Sequence, residues 1–253
     1  MRPLARLLPL LVAVLALAGC ASLKSADPTR DWSAQRFYEE ARSALDAGDY
    51  ERAIELYEKL EARYPFGPYA QQAALEVAYA YYKFDEPDSA IAAADRFIRT
   101  YPRHPNVAYA YYIKGLANFN RGVGILDRYL GDAISERDPR TAREAFAAFA
   151  ELVRRFPESR YAEDARRRML YLRNALAAHE VQVAAFYLER KAYVAAAGRA
   201  RYVIEHYPRS PAVGPALRIL RDAYRGMGME DLARDAERVL EANPAYRDVE
   251  LGP

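Results

Sequence analysis

Few residues in this chain are equipped for chemistry, and their spacing limits what that chemistry is. Its 253 residues hold one cysteine, Cys20, and three histidines, His104, His179 and His206. The histidines lie far apart, and none has a second ligand three or four residues away, as a helix-borne metal site needs. No Gly-x-Ser-x-Gly occurs, and no serine or cysteine sits in a recognisable nucleophile setting. Gly122-Val123-Gly124 follows no strand and leads to no Lys-Ser/Thr, so it does not read as a phosphate loop. The acidic pairs Glu39-Glu40 and Glu163-Asp164 fall on expected solvent faces of amphipathic helices, not in a general acid–base arrangement. The chain therefore reads as a non-enzyme with no catalytic residue, no metal and no cofactor.

Cys20 fits one kind of chemistry well. Arg2 and Arg6 precede the apolar run Leu7 to Leu17, which is too short to span a bilayer stably. Leu17-Ala18-Gly19-Cys20 then resembles the bacterial lipobox. On that reading, residues 1–19 are a lipoprotein signal peptide, and Cys20 carries diacylglycerol and an N-acyl chain. A lone cysteine has no internal disulfide partner, and several acyl chains hold a protein on a membrane where one does not. The alternative is an ordinary secretory signal followed by an incidental cysteine. Ala21 and Ser22 follow where an aspartate usually marks inner-membrane retention, which favours the periplasmic face of the outer membrane. The formal charge of +2 falls to about 0 without Arg2 and Arg6, so no global field draws nucleic acid. Residues 20–33 are expected as the lipidated N-terminus and a tether; the competing expectation is an arm packed through Trp32.

The elements behind these residues come from a repeated stop. Tyr64-Pro65 returns as Tyr101-Pro102, Phe156-Pro157 and Tyr207-Pro208, with an echo at Asn243-Pro244. Successive prolines stand 37, 55, 51 and 36 residues apart, a mid-thirties period twice stretched by an insert. Between stops, apolar residues recur at three- and four-residue steps, most clearly Tyr50, Ala53, Ile54, Tyr57, Leu60 and Tyr64. Gly48-Asp49-Tyr50 supplies a turn and a cap before that helix. The set Ala53, Tyr57 and Pro65 resembles the tetratricopeptide repeat, in which a small residue lets two helices approach and an aromatic fills the gap beside it. The expected fold is all-α: a superhelical array of five such hairpins. Repeat three carries an insert from Gly122 to Pro139, and repeat four opens with a long helix from Tyr161 to about Glu189, ~42 Å at ~1.5 Å per residue.

Tyrosine is abundant, 21 in all. Most belong to packing, but Tyr79-Ala80-Tyr81-Tyr82 cannot all face inward at ~100° per residue. Repeat arrays form concave surfaces that grip peptides or partner domains, and tyrosine buries area while keeping a polar tip.

Specific motifs then add a family resemblance. Arg63-Tyr64-Pro65-Phe66-Gly67-Pro68-Tyr69-Ala70-Gln71-Gln72 resembles the hallmark of the BamD family of β-barrel assembly lipoproteins. Ala80-Tyr81-Tyr82-Lys83, Arg96-Phe97-Ile98-Arg99, His104-Pro105-Asn106, Arg137-Asp138-Pro139, Leu152-Val153-Arg154 and Tyr187-Leu188-Glu189-Arg190 follow in order. The resemblance implies a scaffold, not a catalyst. Residues 34–140 are expected to receive unfolded outer-membrane proteins through Tyr64, Phe66, Tyr69, Tyr81 and Tyr82; the competing expectation for Phe66 and Tyr69 is that they only staple repeats one and two. Residues 141–253 are expected to dock on a periplasmic POTRA domain of the barrel subunit BamA, with Arg199 as the contact. Arg199→Glu is then expected to weaken BamA binding without changing thermal unfolding. Other lipoproteins such as BamC are further candidate partners. Two rivals stand beside this reading: a pilotin for a secretion or pilus channel, and a cell-wall lytic enzyme, which needs a catalytic domain that no spare segment supplies.

Overall fold

The computed structural model describes residues 27–121 and 139–247; the signal segment, Cys20 and the insert from Gly122 to Asp138 lie outside them. Among the described residues the chain forms five helical hairpins and a short terminal helix. The first two hairpins are α1 (Ala34–Asp46) with α2 (Tyr50–Arg63), and α3 (Pro68–Lys83) with α4 (Pro87–Thr100). The third pairs α5 (Val107–Asn120) with α6 (Pro139–Arg155). The fourth pairs α7 (Ala162–Glu189) with α8 (Tyr193–His206), and the fifth α9 (Val213–Gly226) with α10 (Glu230–Ala242), before α11 (Pro244–Arg247). The five expected hairpins and the long helix of repeat four are all present.

The repeated stop works the same way each time. A residue before proline is pushed out of the helical region by the pyrrolidine ring. Tyr64, Tyr101, Tyr207 and Asn243 accordingly leave the helix at φ −129°, −128°, −127° and −123°. The amides of Tyr64, Tyr101, Phe156 and Tyr207 still donate to the carbonyl four residues back, each at 2.8 Å, so the first four hairpins close on one last full turn, whereas Asn243 reaches back only three residues, to Leu240 at 3.3 Å. At the turn inside hairpin one, Gly48 takes φ +81° and the Asp49 side chain accepts the Arg52 amide.

Each helix packs on the next along the chain. The first helices of hairpins one and two, two and three, and four and five also touch, whereas no two second helices pack to that extent. The array therefore curves with the first helices on its inner side. Small residues set the close approach. Ala53, Ala73, Ala90, Ala145, Ala165 and Ala196 are fully buried, as are the aromatics Phe37, Tyr57 and Phe149. Gly115 of α5 lies against the Phe149 ring of α6, and any Cβ there falls inside van der Waals contact.

One expectation needs correction. Residues 27–33 are not a free tether; they pack on hairpin one. Arg63 donates to the Thr29 and Arg30 carbonyls and pairs with Asp27 at 3.0 Å. The Tyr64 hydroxyl donates to the Trp32 carbonyl at 2.7 Å, and Trp32 meets Phe37 edge-on at 5.2 Å. The arm docks because α2 ends on a long cation that satisfies carbonyls no helix or sheet supplies with donors.

Candidate functional site

Three first helices build the site. On α1, Tyr38, Arg42 and Asp46 stand four residues apart and share a face. On α3 the corresponding face carries Tyr69, Glu76, Tyr79 and Lys83, and α5 contributes Tyr109. Between them lies a cavity of about 460 Å³, lined by Arg42, Leu45, Asp46, Tyr50, Glu76, Tyr79, Lys83 and Tyr109. It is open, polar at one wall and aromatic at the other.

Glu76 organises the polar wall. It accepts the hydroxyl of Tyr38 at 2.8 Å and that of the buried Tyr57, and pairs with Arg42 at 3.1 Å. Burial, then the Glu76 hydrogen bond, pushes the Tyr38 hydroxyl up to about 12, and the same causes raise Tyr57 further. Both stay protonated donors at neutral pH.

The aromatic wall continues beyond the cavity as a ladder. Tyr69 lies 5.6 Å from Tyr38. Tyr79 lies 6.4 Å from Tyr82 and 6.3 Å from Tyr109. Tyr161, at the start of α7, stacks on Tyr109 at 5.2 Å and on Tyr112 at 4.9 Å. Such separations are those of attractive offset or tilted ring pairs. Tyr112 donates to Asp164 at 2.7 Å, and Arg168 binds the same carboxylate at 2.6 Å. Burial pushes that carboxyl up, but the hydrogen bonds from Arg168 and Tyr112 outweigh it and hold it low. Asp164 is therefore an anchored partner in the ladder, not the freely solvated member of a surface pair.

The hollow lies beside the first two hairpins, and its lining differs from the residues singled out. Tyr82 adjoins it through Tyr79, and Tyr69 through Tyr38. Tyr64 is committed to the arm. Tyr81 stands ~200° around α3 from Tyr79 and donates to Glu58 of α2, on the outer side. Phe66 is 90% exposed, so it is no staple between repeats; Tyr69, packed on Tyr38, does that. Arg42, Tyr79 and Tyr109 escaped sequence reasoning. The signal for Arg42 and Tyr79 is one-face helical periodicity, at positions 38, 42 and 46 on α1 and 69, 76, 79 and 83 on α3, which becomes legible only once α1 and α3 are known to be neighbours.

Arg199 lies on α8, half exposed, and donates to Glu180 of α7 at 2.8 Å. The Glu180 side chain is only 4% exposed and also faces Arg143 of α6 at 3.5 Å. Arg199→Glu therefore sets a carboxylate against a buried one, and the expectation of unchanged thermal unfolding does not survive. Arg199→Gln is the cleaner probe.

The fold and this inner face define a class: a helical-repeat protein with an aromatic groove on its inner side. Residues 30–239 match the model of the YfiO outer membrane lipoprotein family. Similar proteins named outer membrane protein assembly factor BamD occur in Neisseria meningitidis, 47% identical over 90% of this chain and 87% of theirs. Others occur in Xylella fastidiosa, 39% over 95% and 82%, and Vibrio cholerae, 37% over 92% and 96%. The chain belongs to the YfiO/BamD family of outer-membrane assembly lipoproteins. None of these relatives is named for a pilus or secretion channel, so the pilotin alternative gains no support. A solved tetratricopeptide protein of Thermus thermophilus is 16% identical, covering 85% of this chain and 93% of its own, with a TM-score of 0.38. The hairpin assignment rests on the helices themselves.

Proposed function

We propose that this chain is a periplasm-facing scaffold of the β-barrel assembly machinery, moored in the outer membrane by acylated Cys20. It binds unfolded outer-membrane β-barrel proteins and a POTRA domain of BamA, and performs no covalent chemistry. No described helix is long and apolar enough to cross a membrane, so on this reading the lipid at Cys20 supplies the attachment.

The observation that carries the reading is the tyrosine ladder on the inner helix face beside the cavity of about 460 Å³. An unfolded barrel segment presents apolar and aromatic side chains with free backbone N–H and C=O groups. Tyrosine rings take the former and their protonated hydroxyls bond the latter. Tethering raises the local concentration of client near the membrane. Contact with BamA through Arg199 then biases that partner's conformation by differential affinity.

The test is photo-crosslinking in cells from positions 66, 79, 82 and 199. Nascent barrel proteins caught from positions 79 and 82, and BamA caught from position 199, are the expected result. Barrel proteins caught from position 66 alone would move the client site off the inner face.

A further inference from the structure

We propose that Arg63 and Tyr64 are positioning residues for work at the membrane: by clamping residues 27–32 onto hairpin one, they set how far the array stands from its lipid anchor. The proposal rests on acylation at Cys20 and adds what fixes the length of the mooring.

The clamp grips backbone. The Asp27 side chain accepts the amide and the hydroxyl of Thr29 at 2.9 and 2.7 Å, which curls the arm into a turn. The Arg30 amide closes on the Asp27 carbonyl at 3.0 Å, and the Trp32 amide on the Thr29 carbonyl at 3.1 Å. Arg63, the last residue of α2, takes hold of this turn. One guanidinium nitrogen donates to the carbonyls of Thr29 and Arg30, and another pairs with Asp27 at 3.0 Å. The same guanidinium lies over the Phe37 ring, 5.1 Å from its centre. Tyr64 adds its hydroxyl on the Trp32 carbonyl at 2.7 Å, and Thr29 is fully buried. Two consecutive residues at one helix end thus bind four acceptors on the arm. Three of the four are main-chain carbonyls, so the grip is on the chain itself. The rigid fork of an arginine suits such a task better than a single ammonium.

The place of the clamp along the chain decides what it does. From Cys20 to Asp27 is seven residues, ~25 Å at full extension, whereas from Cys20 to Ser33, the cap of α1, is thirteen, ~45 Å. Docking the arm takes ~20 Å out of the mooring and confines hairpin one to a roughly sixfold smaller volume about the anchor, with a matching gain in effective concentration there. It also moves the point of attachment from the start of α1 to the end of α2. That end leads directly into α3, whose Glu76 and Tyr79 line the hollow. A pull on the anchor is taken by Arg63 and Tyr64 before it reaches α1.

The experiment uses the full acylated chain in vesicles of phosphatidylethanolamine and phosphatidylglycerol. Phe66→Cys, at an exposed position beside the clamp, carries a donor dye, and a headgroup-labelled lipid is the acceptor. Trp32 emission reports release of the arm, and circular dichroism reports the fold. In the double variant Arg63→Gln with Tyr64→Phe, Trp32 emission is expected to move to longer wavelength and energy transfer to fall about twofold, with helicity kept. A six-residue Gly-Ser insert after Ser22, with the clamp intact, should lower the transfer similarly. Removing residues 22–26 from the double variant should restore most of it. Shortening a tether cannot repair a fold, so that restoration separates positioning from a purely structural role. Released Trp32 with unchanged transfer refutes the proposal, as does unchanged Trp32 emission in the double variant or a loss of transfer that shortening does not reverse. A wild-type chain that lacks the acyl mass and does not float with the vesicles refutes the anchor at Cys20, and the proposal falls with it.

Discussion

Tyr57 is fully buried and its hydroxyl has Glu76 as acceptor, which makes Glu76 a structural as well as a lining residue. Glu76→Ala strands that hydroxyl, and a stranded buried donor costs ~1–3 kcal/mol. The expected outcome is a lower denaturant midpoint that Tyr57→Phe partly restores in the double variant; simple additivity would separate the two residues. The arm is held by charge as well as by rings. The hydroxyl and amide of Thr29, and then Arg63, bring Asp27 from 3.8 down to about 2. A carboxyl lowered in the folded state stabilises docking above its unfolded value and loses that contribution as pH falls toward the folded one. Trp32, the single tryptophan, reports on this. Its emission is expected to shift to longer wavelength between about pH 4 and pH 2 while helicity persists. A flat response over that range contradicts the assignment. At this scale the sequence revealed residue types but not partners. Tyr79, Tyr81 and Tyr82 look alike in the chain, and only the neighbouring helices decide that one lines the hollow while another turns to Glu58.

Proline, glycine and capping residues act over a few positions, so the elements were largely legible. Tyr-Pro forces the end of a helix wherever it occurs, and the ends of α2, α4 and α8 fall at Arg63, Thr100 and His206 for that reason. The long α7 was equally plain, because its three- and four-residue apolar steps run without a breaker to Glu189. The arm was legible only in its anchor, Trp32, which packs on Phe37; its docking also depends on Arg63 reaching carbonyls more than thirty residues away, which leaves no local trace. The burial of Glu180 likewise leaves no local trace, since it is decided by Arg143 and Arg199 on other helices. Close helix approach gives a prediction of its own. Gly115→Ala pushes a methyl into the Phe149 ring between α5 and α6 and is expected to cost about 1–3 kcal/mol. Adding Phe149→Leu should recover part of that loss in thermal unfolding. No recovery would mean the strain lies elsewhere.

For the whole molecule, the first helices of hairpins one to three, and of four and five, pack on one another more than any second helices do, which gives the array an inner face; that face carries the ring pair Tyr38–Tyr69 and the run Tyr79–Tyr109–Tyr161. Glu180, with Arg143 and Arg199 on it, lies at the seam between hairpins three and four. On the proposed reading, clients bind at the hollow beside hairpins one and two and the partner docks on α8, so variants of Tyr79 should leave partner docking intact. The most direct measurement uses an unfolded β-barrel peptide ending in an aromatic residue, titrated into the purified chain by fluorescence anisotropy. Tyr79→Ala with Tyr109→Ala is expected to weaken its binding by about tenfold or more, in keeping with the loss of two aromatic anchors, while Phe66→Ala and Tyr81→Ala bind as wild type. Unchanged affinity in the folded double variant, with loss in Phe66→Ala, would contradict the inner face as the client site.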